Sequence, residues 1–325
     1  MSAGHHPAGE GFRPPWWLRS AHLQTIYAPL FRRGPRLSLR RERIELRDGD
    51  FVDLDWTPGH GGPVVLVLHG LEGSSDSPYA RGILNVADAS GWRGAVLHFR
   101  GCSGEPNRLD RSYHSGDTGD LADVVAVLQA RDDVSDIVAV GYSLGGNVLL
   151  KWLGERGGES PLAAAVAVSA PYTLSLAADR LADGLSRVYQ GRLIREMCAK
   201  LRRKFTDRDA PIDLDAAYGS RDFWEFDDRV TAPLHGFEDV HDYYTRSSSR
   251  QYLHGIRIPT LILHALDDPF MTPDVVPSPD ELSASTELEV SDHGGHVGFV
   301  HGTLPWRPRY WLEERIPAFF NRHIG

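Results

Sequence analysis

The chain has 325 residues, 41% of them hydrophobic and 24% charged, an ordinary globular composition that excludes wholesale disorder. Its 35 Lys and Arg against 44 Asp and Glu leave a formal charge of −9, which argues for solubility and against general nucleic-acid binding. Two cysteines, Cys102 and Cys198, exclude a disulfide framework, and no apolar run approaches the roughly 20 residues of a membrane helix. The first twenty residues lack the apolar core of a signal peptide, so the expectation is a soluble, cytoplasmic chain.

The first ten residues are rich in Gly, His and Pro and read as a frayed terminus. Pro14-Pro15-Trp16-Trp17 follows, then a basic stretch with Arg13, Arg19, Arg32, Arg33, Arg36, Arg40, Arg41 and Arg43. Residues 1–40 are expected to form an arm that packs along the core as a strap. The alternative is peripheral contact with an anionic lipid surface, with Trp16 and Trp17 as interfacial anchors. Two extended runs, residues 42–46 and 51–56, flank Asp48-Gly49-Asp50, which predicts a hairpin.

From residue 63 onward, short apolar runs alternate with helix-length segments. Runs at 63–68, 94–99, 136–140, 163–168, 260–264 and 287–290 each end in Gly or polar residues. Unbroken apolar runs suit strands buried on both faces of a parallel sheet. Leu121, Val124, Val125 and Leu128 carry helical spacing within residues 117–129. The alternation lapses over residues 172–255, where Ile194, Met197, Leu201 and Phe205 form one helical stripe and the nearby arginines a solvated face. The predicted architecture is an α/β core of residues 41–171 and 256–325, interrupted by a helical cap or lid insertion at 172–255.

The strongest chemical signal is Gly141-Tyr142-Ser143-Leu144-Gly145-Gly146. A G-x-S-x-G between a strand and a helix makes a sharp turn that lifts the serine oxygen clear of the sheet. Here it follows the apolar run 137–140 and precedes Asn147-Val148-Leu149-Leu150, in the required order. A serine hydroxyl needs a base, and the base an orienting acid, in the chain order Ser, Asp or Glu, His. Asp267-Asp268 and His293-Gly294-Gly295-His296 supply both partners at strand ends. Asp268 is favoured over Asp267, which is expected to be exposed or to cap the turn. His296 is favoured over His293 because two glycines precede it. An H-x-x-H metal pair is the weaker reading, since no further ligand is nearby in sequence. His69-Gly70-Leu71-Glu72-Gly73 follows another strand, so the backbone N–H groups of Leu71 and Leu144 are candidates for an oxyanion hole. Cys102, which lacks an elbow, reads as structural.

These strings resemble the YheT branch of the α/β-hydrolases, which also includes the eukaryotic ABHD lipases and yeast alcohol acyltransferases. Further matching pieces are Ala21-His22-Leu23-Gln24-Thr25, residues 98–108, Tyr113-His114-Ser115-Gly116 and residues 293–299. The resemblance implies an α/β-hydrolase fold, a mostly parallel sheet with helices on both faces, and a Ser143–Asp268–His296 triad. It implies hydrolysis of small-molecule or lipid carboxylic esters through an acyl-enzyme, with no cofactor or metal and no nucleic-acid partner. An acyltransferase with the same triad, taking an alcohol or thiol acceptor, and a non-catalytic ligand-binding protein are the rival readings.

Overall fold

The computed structural model describes residues 11–32 and 37–324; the first ten residues, and Arg33 and Arg36 of the basic stretch, lie outside the described residues. The chain opens with α1 (Ala21–Phe31), followed by the hairpin β1 (Arg40–Glu45) and β2 (Phe51–Trp56). Glu45 faces Phe51 across the turn, and Gly49 takes φ 84° there, a conformation that favours glycine. The alternating part follows as β3 (Val64–Leu68), α2 (Pro78–Ala89), β4 (Arg93–His98), α3 (Thr118–Gln129), β5 (Ile137–Tyr142), α4 (Leu144–Arg156) and β6 (Ala164–Val168). Helices α5 (Leu174–Leu181), α6 (Ser186–Lys204), α7 (Leu214–Tyr218), α8 (Phe223–Phe226), α9 (Ala232–His235) and α10 (Val240–Ser247) then intervene. The chain returns to the sheet with β7 (Thr260–Ala265) and β8 (Thr286–Ser291), and ends with the short pair β9 (Val300–His301) and β10 (Arg309–Tyr310) and then α11 (Leu312–Phe320).

The main sheet has eight strands in the order β1-β2-β4-β3-β5-β6-β7-β8. Strands β3 to β8 pair in parallel, while β2 pairs antiparallel with both β1 and β4. The runs of β3, β4, β5, β6 and β7 are buried on both faces, whereas β8, expected to behave alike, lies at the sheet edge and is only partly covered. Leu66 and Leu68 pack with Leu121 of α3 and Val148 of α4. Val65 and Val67 pack with Ile83 of α2 and Phe319 of α11. Two cores therefore sandwich one sheet, and the carboxyl ends of β3, β5, β6 and β7 are left for loops.

The hairpin departs from simple alternation. Phe51-Val52-Asp53-Leu54-Asp55-Trp56 is buried throughout, although its acids would suit a solvated face. Arg43 forks onto Asp53 and Arg41 onto Asp55, while His98 and Ser75 also reach Asp55, so the buried carboxylates are paired. A second buried cluster ties the hairpin turn to the core. Arg100 binds Asp120 of α3 through two nitrogens, at 2.8 and 2.6 Å, and Asp50 at 2.9 Å.

Between β6 and β7 the chain forms helices α5 to α10, joined by turns. Their side chains gather around an apolar cluster of their own that includes Ile194, Leu201, Phe205, Phe223 and Tyr244. The segment leaves the sheet at the carboxyl end of β6 and rests over the strand-end loops: Lys200 of α6 reaches Glu72 after β3, and Ser186 donates to the carbonyl of Pro269 after β7. Phe12 and Trp17, ahead of α1, lie against the segment around β9. Phe12 meets Phe299 edge-on at 5.2 Å, and the Trp17 indole donates to the carbonyl of Gly302. Trp16 is 70% exposed.

Arg100→Met should strand the buried carboxylates of Asp50 and Asp120 without a cation. The expected loss is about 3–5 kcal/mol, read as a lower urea midpoint with an unchanged slope. Replacing Asp120 by Leu in the same chain should recover part of it.

Candidate active site

Ser143 stands between β5 and α4 at φ 52°, ψ −119°, a region that side chains other than glycine rarely occupy. Such a residue costs of order 1–3 kcal/mol and persists only where its surroundings hold it. Its amide donates to Val168 O at 2.8 Å, and its carbonyl accepts from Asn147 N at 3.1 Å, which pins both ends of the turn. The neighbouring glycines are required by close approach. A Cβ on Gly145 would come within 2.5 Å of the carbonyl oxygens of Leu68 and His69, and one on Gly141 would strike the Gly145 backbone. Helix α4 thus starts directly against the end of β3, and its first N–H, that of Leu144, points out of the sheet with the positive end of the helix dipole.

The Leu71 N–H comes from the turn after β3, and several side chains fix that turn. Tyr79 OH accepts from Gly70 N at 2.8 Å. Burial holds the His69 imidazole down at about 3, so the ring is neutral. Its Nδ1 donates to Gly70 O at 2.7 Å and its Nε2 accepts from Phe99 N at 3.2 Å. Glu72 sits at φ 55°; its amide donates to Tyr113 OH at 2.9 Å, and its carboxylate takes Tyr113 OH at 2.7 Å and Lys200 Nζ at 2.8 Å. Burial pushes the Tyr113 hydroxyl well above its ordinary value, so it keeps the proton it donates. Among the described residues, neither the Leu71 nor the Leu144 amide donates a hydrogen bond within the protein.

The acid and the histidine come from the loops after β7 and β8. His296 Nδ1 lies 2.8 Å from Asp268 Oδ2, and Asp268 Oδ1 accepts from Phe270 N at 2.8 Å. The Phe270 ring stacks on the imidazole at 4.0 Å with an 8° tilt. Asp267 faces a different group: it accepts from Gly295 N at 2.8 Å and meets His293 Nδ1 at 3.2 Å. It is partly covered, with its side chain 20% exposed, and it braces the histidine loop. The two histidines therefore turn to different carboxylates and do not converge as a ligand pair. No group of three or more His, Cys, Asp or Glu side chains that could hold a metal ion occurs among the described residues.

Ser143 and His296 both line two adjoining cavities, although no hydrogen bond joins their side chains. One cavity, of about 380 Å3, opens between α1 and α6 and includes Thr25, Leu71, Tyr189 and Phe270. The other, of about 120 Å3, lies under the helical segment, with Leu174, Leu181, Met197 and Phe223 on its wall. All five residues singled out in the sequence thus meet at one place. Of the supporting residues, Lys200 carries no comparable signal, and Tyr113 and Glu72 stand out only as members of the strings that carry the family resemblance. Cys102 sits beside this site with its Sγ 3.0 Å from Lys200 Nζ.

The profile of the alpha/beta hydrolase fold family matches residues 63–303. YheT of Escherichia coli (strain K12), provisionally named an esterase, is 44% identical over 319 residues, covering 96% of this chain and 94% of the relative. ABHD3 of Mus musculus, named a phospholipase, is 29% identical and covers 93% and 76%. Among solved structures, the Pyrococcus furiosus esterase Pf2001 superposes with a TM-score of 0.58 at 18% identity, covering 89% of this chain and 92% of that one, a likeness of fold. The strand–elbow–helix unit, the sheet order and the extent of these matches together mean that the chain belongs to the α/β-hydrolase fold family, in the branch that contains YheT.

Proposed function

We propose that the chain is a serine hydrolase that cleaves carboxylic esters through Ser143, Asp268 and His296. The observation that carries this reading is the buried pair His296 Nδ1–Asp268 Oδ2 at 2.8 Å, set in the same cavity wall as a serine held at φ 52° on a strand–helix elbow. An inert serine would have no reason to be kept in so strained a conformation beside an oriented imidazole. Relatives named as an esterase and a phospholipase support ester hydrolysis by the same fold.

In this reading Asp268 holds the proton on Nδ1, which leaves the Nε2 lone pair of His296 free to take the proton of Ser143. The serine oxygen attacks the ester carbonyl, and the carbonyl oxygen becomes an oxyanion held by the N–H groups of Leu71 and Leu144. Each such donor is worth about 3 kcal/mol in the transition state, because it is already aimed where charge develops. Collapse expels the alcohol, which receives the proton from His296. Water, deprotonated by the same imidazole, then releases the acid and restores Ser143. The neutral His69 and the Tyr113–Glu72–Lys200 network keep the Leu71 amide from turning away. The helical segment 172–255 serves as a cap that walls the smaller cavity, and the two cavities that meet at Ser143 give room for the acyl and alcohol parts of an ester.

Ser143→Ala should abolish both fluorophosphonate labelling and p-nitrophenyl ester turnover, with unfolding unchanged or slightly stabilised. The two adjacent acids should separate sharply. Asp268→Asn is expected to lower kcat by about 10³–10⁴, whereas Asp267→Asn, which only loosens the loop, should cost roughly tenfold or less. Equal losses in the two variants, measured by steady-state kinetics on one ester, would contradict the assignment of Asp268.

A further inference from the structure

Helix α1 is an odd structural element. Its one fully buried residue is polar: Gln24, which is 0% exposed. A surface helix is normally held by an apolar stripe. Here the buried side chain instead spends its hydrogen bonds on other segments. Gln24 Nε2 donates to Leu18 O at 2.8 Å and to Val300 O at 2.9 Å, and its Oε1 accepts from Val300 N at 2.7 Å. The next residue, Thr25, accepts the His296 amide on its Oγ1 at 2.9 Å while donating to Ala21 O at 2.8 Å. Both residues therefore act on the backbone of one loop, at its histidine and four residues beyond.

That loop needs holding. Val297 and Phe299 both take positive φ, 57° and 42°, and Gly295 takes φ 58°. The fit against α1 is close: a Cβ on Gly295 would lie 2.7 Å from Thr25 Oγ1, and one on Gly298 would lie 2.5 Å from Gln24 O. Two strained non-glycine residues persist only under constraint from outside the loop. Asp267 and Ser169 supply part of it through Gly295 N and Val297 N. Trp311 holds the far end, donating its amide to Phe299 O at 3.0 Å, and α1 holds the backbone at His296 and Val300.

We propose that Thr25 and Gln24 are positioning residues, which set the imidazole of His296 between Asp268 and Ser143 through the backbone of His296 and Val300. The proposal rests on the reading of His296 as the general base. It makes α1 a working part of the reaction centre, contributed from the far end of the chain, and not only a strap along the core. The effect is geometric: a base displaced by a fraction of an ångström still binds substrate but transfers the proton poorly.

The test compares Thr25→Val, Thr25→Ala and Thr25→Ser in the full chain, with Ser143→Ala alongside. Val and Ala both remove the acceptor, one with the volume kept and one with helix propensity favoured, and Ser keeps it. Expected is a fall in kcat of about 10- to 100-fold in Thr25→Val and Thr25→Ala, KM within about threefold, and recovery in Thr25→Ser. The downfield proton resonance of the His296–Asp268 hydrogen bond should shift or broaden in the first two variants and return in the third. Wild-type kcat in either folded variant, or a fall in kcat with that resonance unmoved, would overturn the proposal. Turnover that survives Ser143→Ala would instead end the triad reading, so the two failures are distinguishable.

Discussion

Helix α4 begins so close to the carboxyl end of β3 that no side chain fits between them, and the rest of the site is arranged around that contact. A Cβ at position 145 would press on the carbonyls of Leu68 and His69, so the helix can pack there only with glycine. Because α4 must start at that point, the chain leaving β5 has one residue in which to reverse, and Ser143 absorbs the turn at positive φ. The same closeness brings the Leu144 amide, at the start of α4, beside the turn that carries Leu71. A packing constraint between a helix and a strand thus accounts together for the strained Ser143 at the elbow and for the two amides proposed to hold the oxyanion.

The other half of the site depends on loops that the sheet alone does not define. Strands β7 and β8 deliver Asp268 and His296 to the right edge, but the histidine loop is strained and glycine-rich. Its braces include Asp267 on the Gly295 amide, Ser169 on Val297, Trp311 on Phe299, and Gln24 and Thr25 of α1. The turn after β3 is braced similarly, by His69 from beneath and by Glu72 through Tyr113 and Lys200. Lys200 belongs to α6, so the helical segment over the cavity also bears on the Leu71 turn. Buried polar groups with full sets of partners give such loops one conformation, at the expense of tolerance to change.

Much of this was legible from the amino acids alone. The apolar runs at β3, β5, β6 and β7 lack alternation because both faces are covered, and that pattern puts the elbow and the acid at strand ends, while the histidine follows the partly covered edge strand β8. Asp267 and Asp268 are adjacent in sequence, but in the structure the two carboxylates face different histidines. What escaped was of two kinds. Nothing in the hairpin string indicates that Asp53 and Asp55 of β2 are buried, because alternation cannot reveal the arginines of β1 that cover them. The roles of Gln24 and Thr25 were hidden by distance, since their partners at His296 and Val300 are some 270 residues on. A lone glutamine in a helix has no pattern that marks it as buried.

The central claim is that Ser143 carries the acyl group between two half-reactions. The most direct measurement is rapid acid quenching of the protein during its first turnover of a p-nitrophenyl ester, followed by peptide mass mapping. A near-stoichiometric burst of p-nitrophenol, with the acyl mass on the peptide at Ser143, is the result this account predicts. The acyl mass on Cys102 or any other side chain would contradict it.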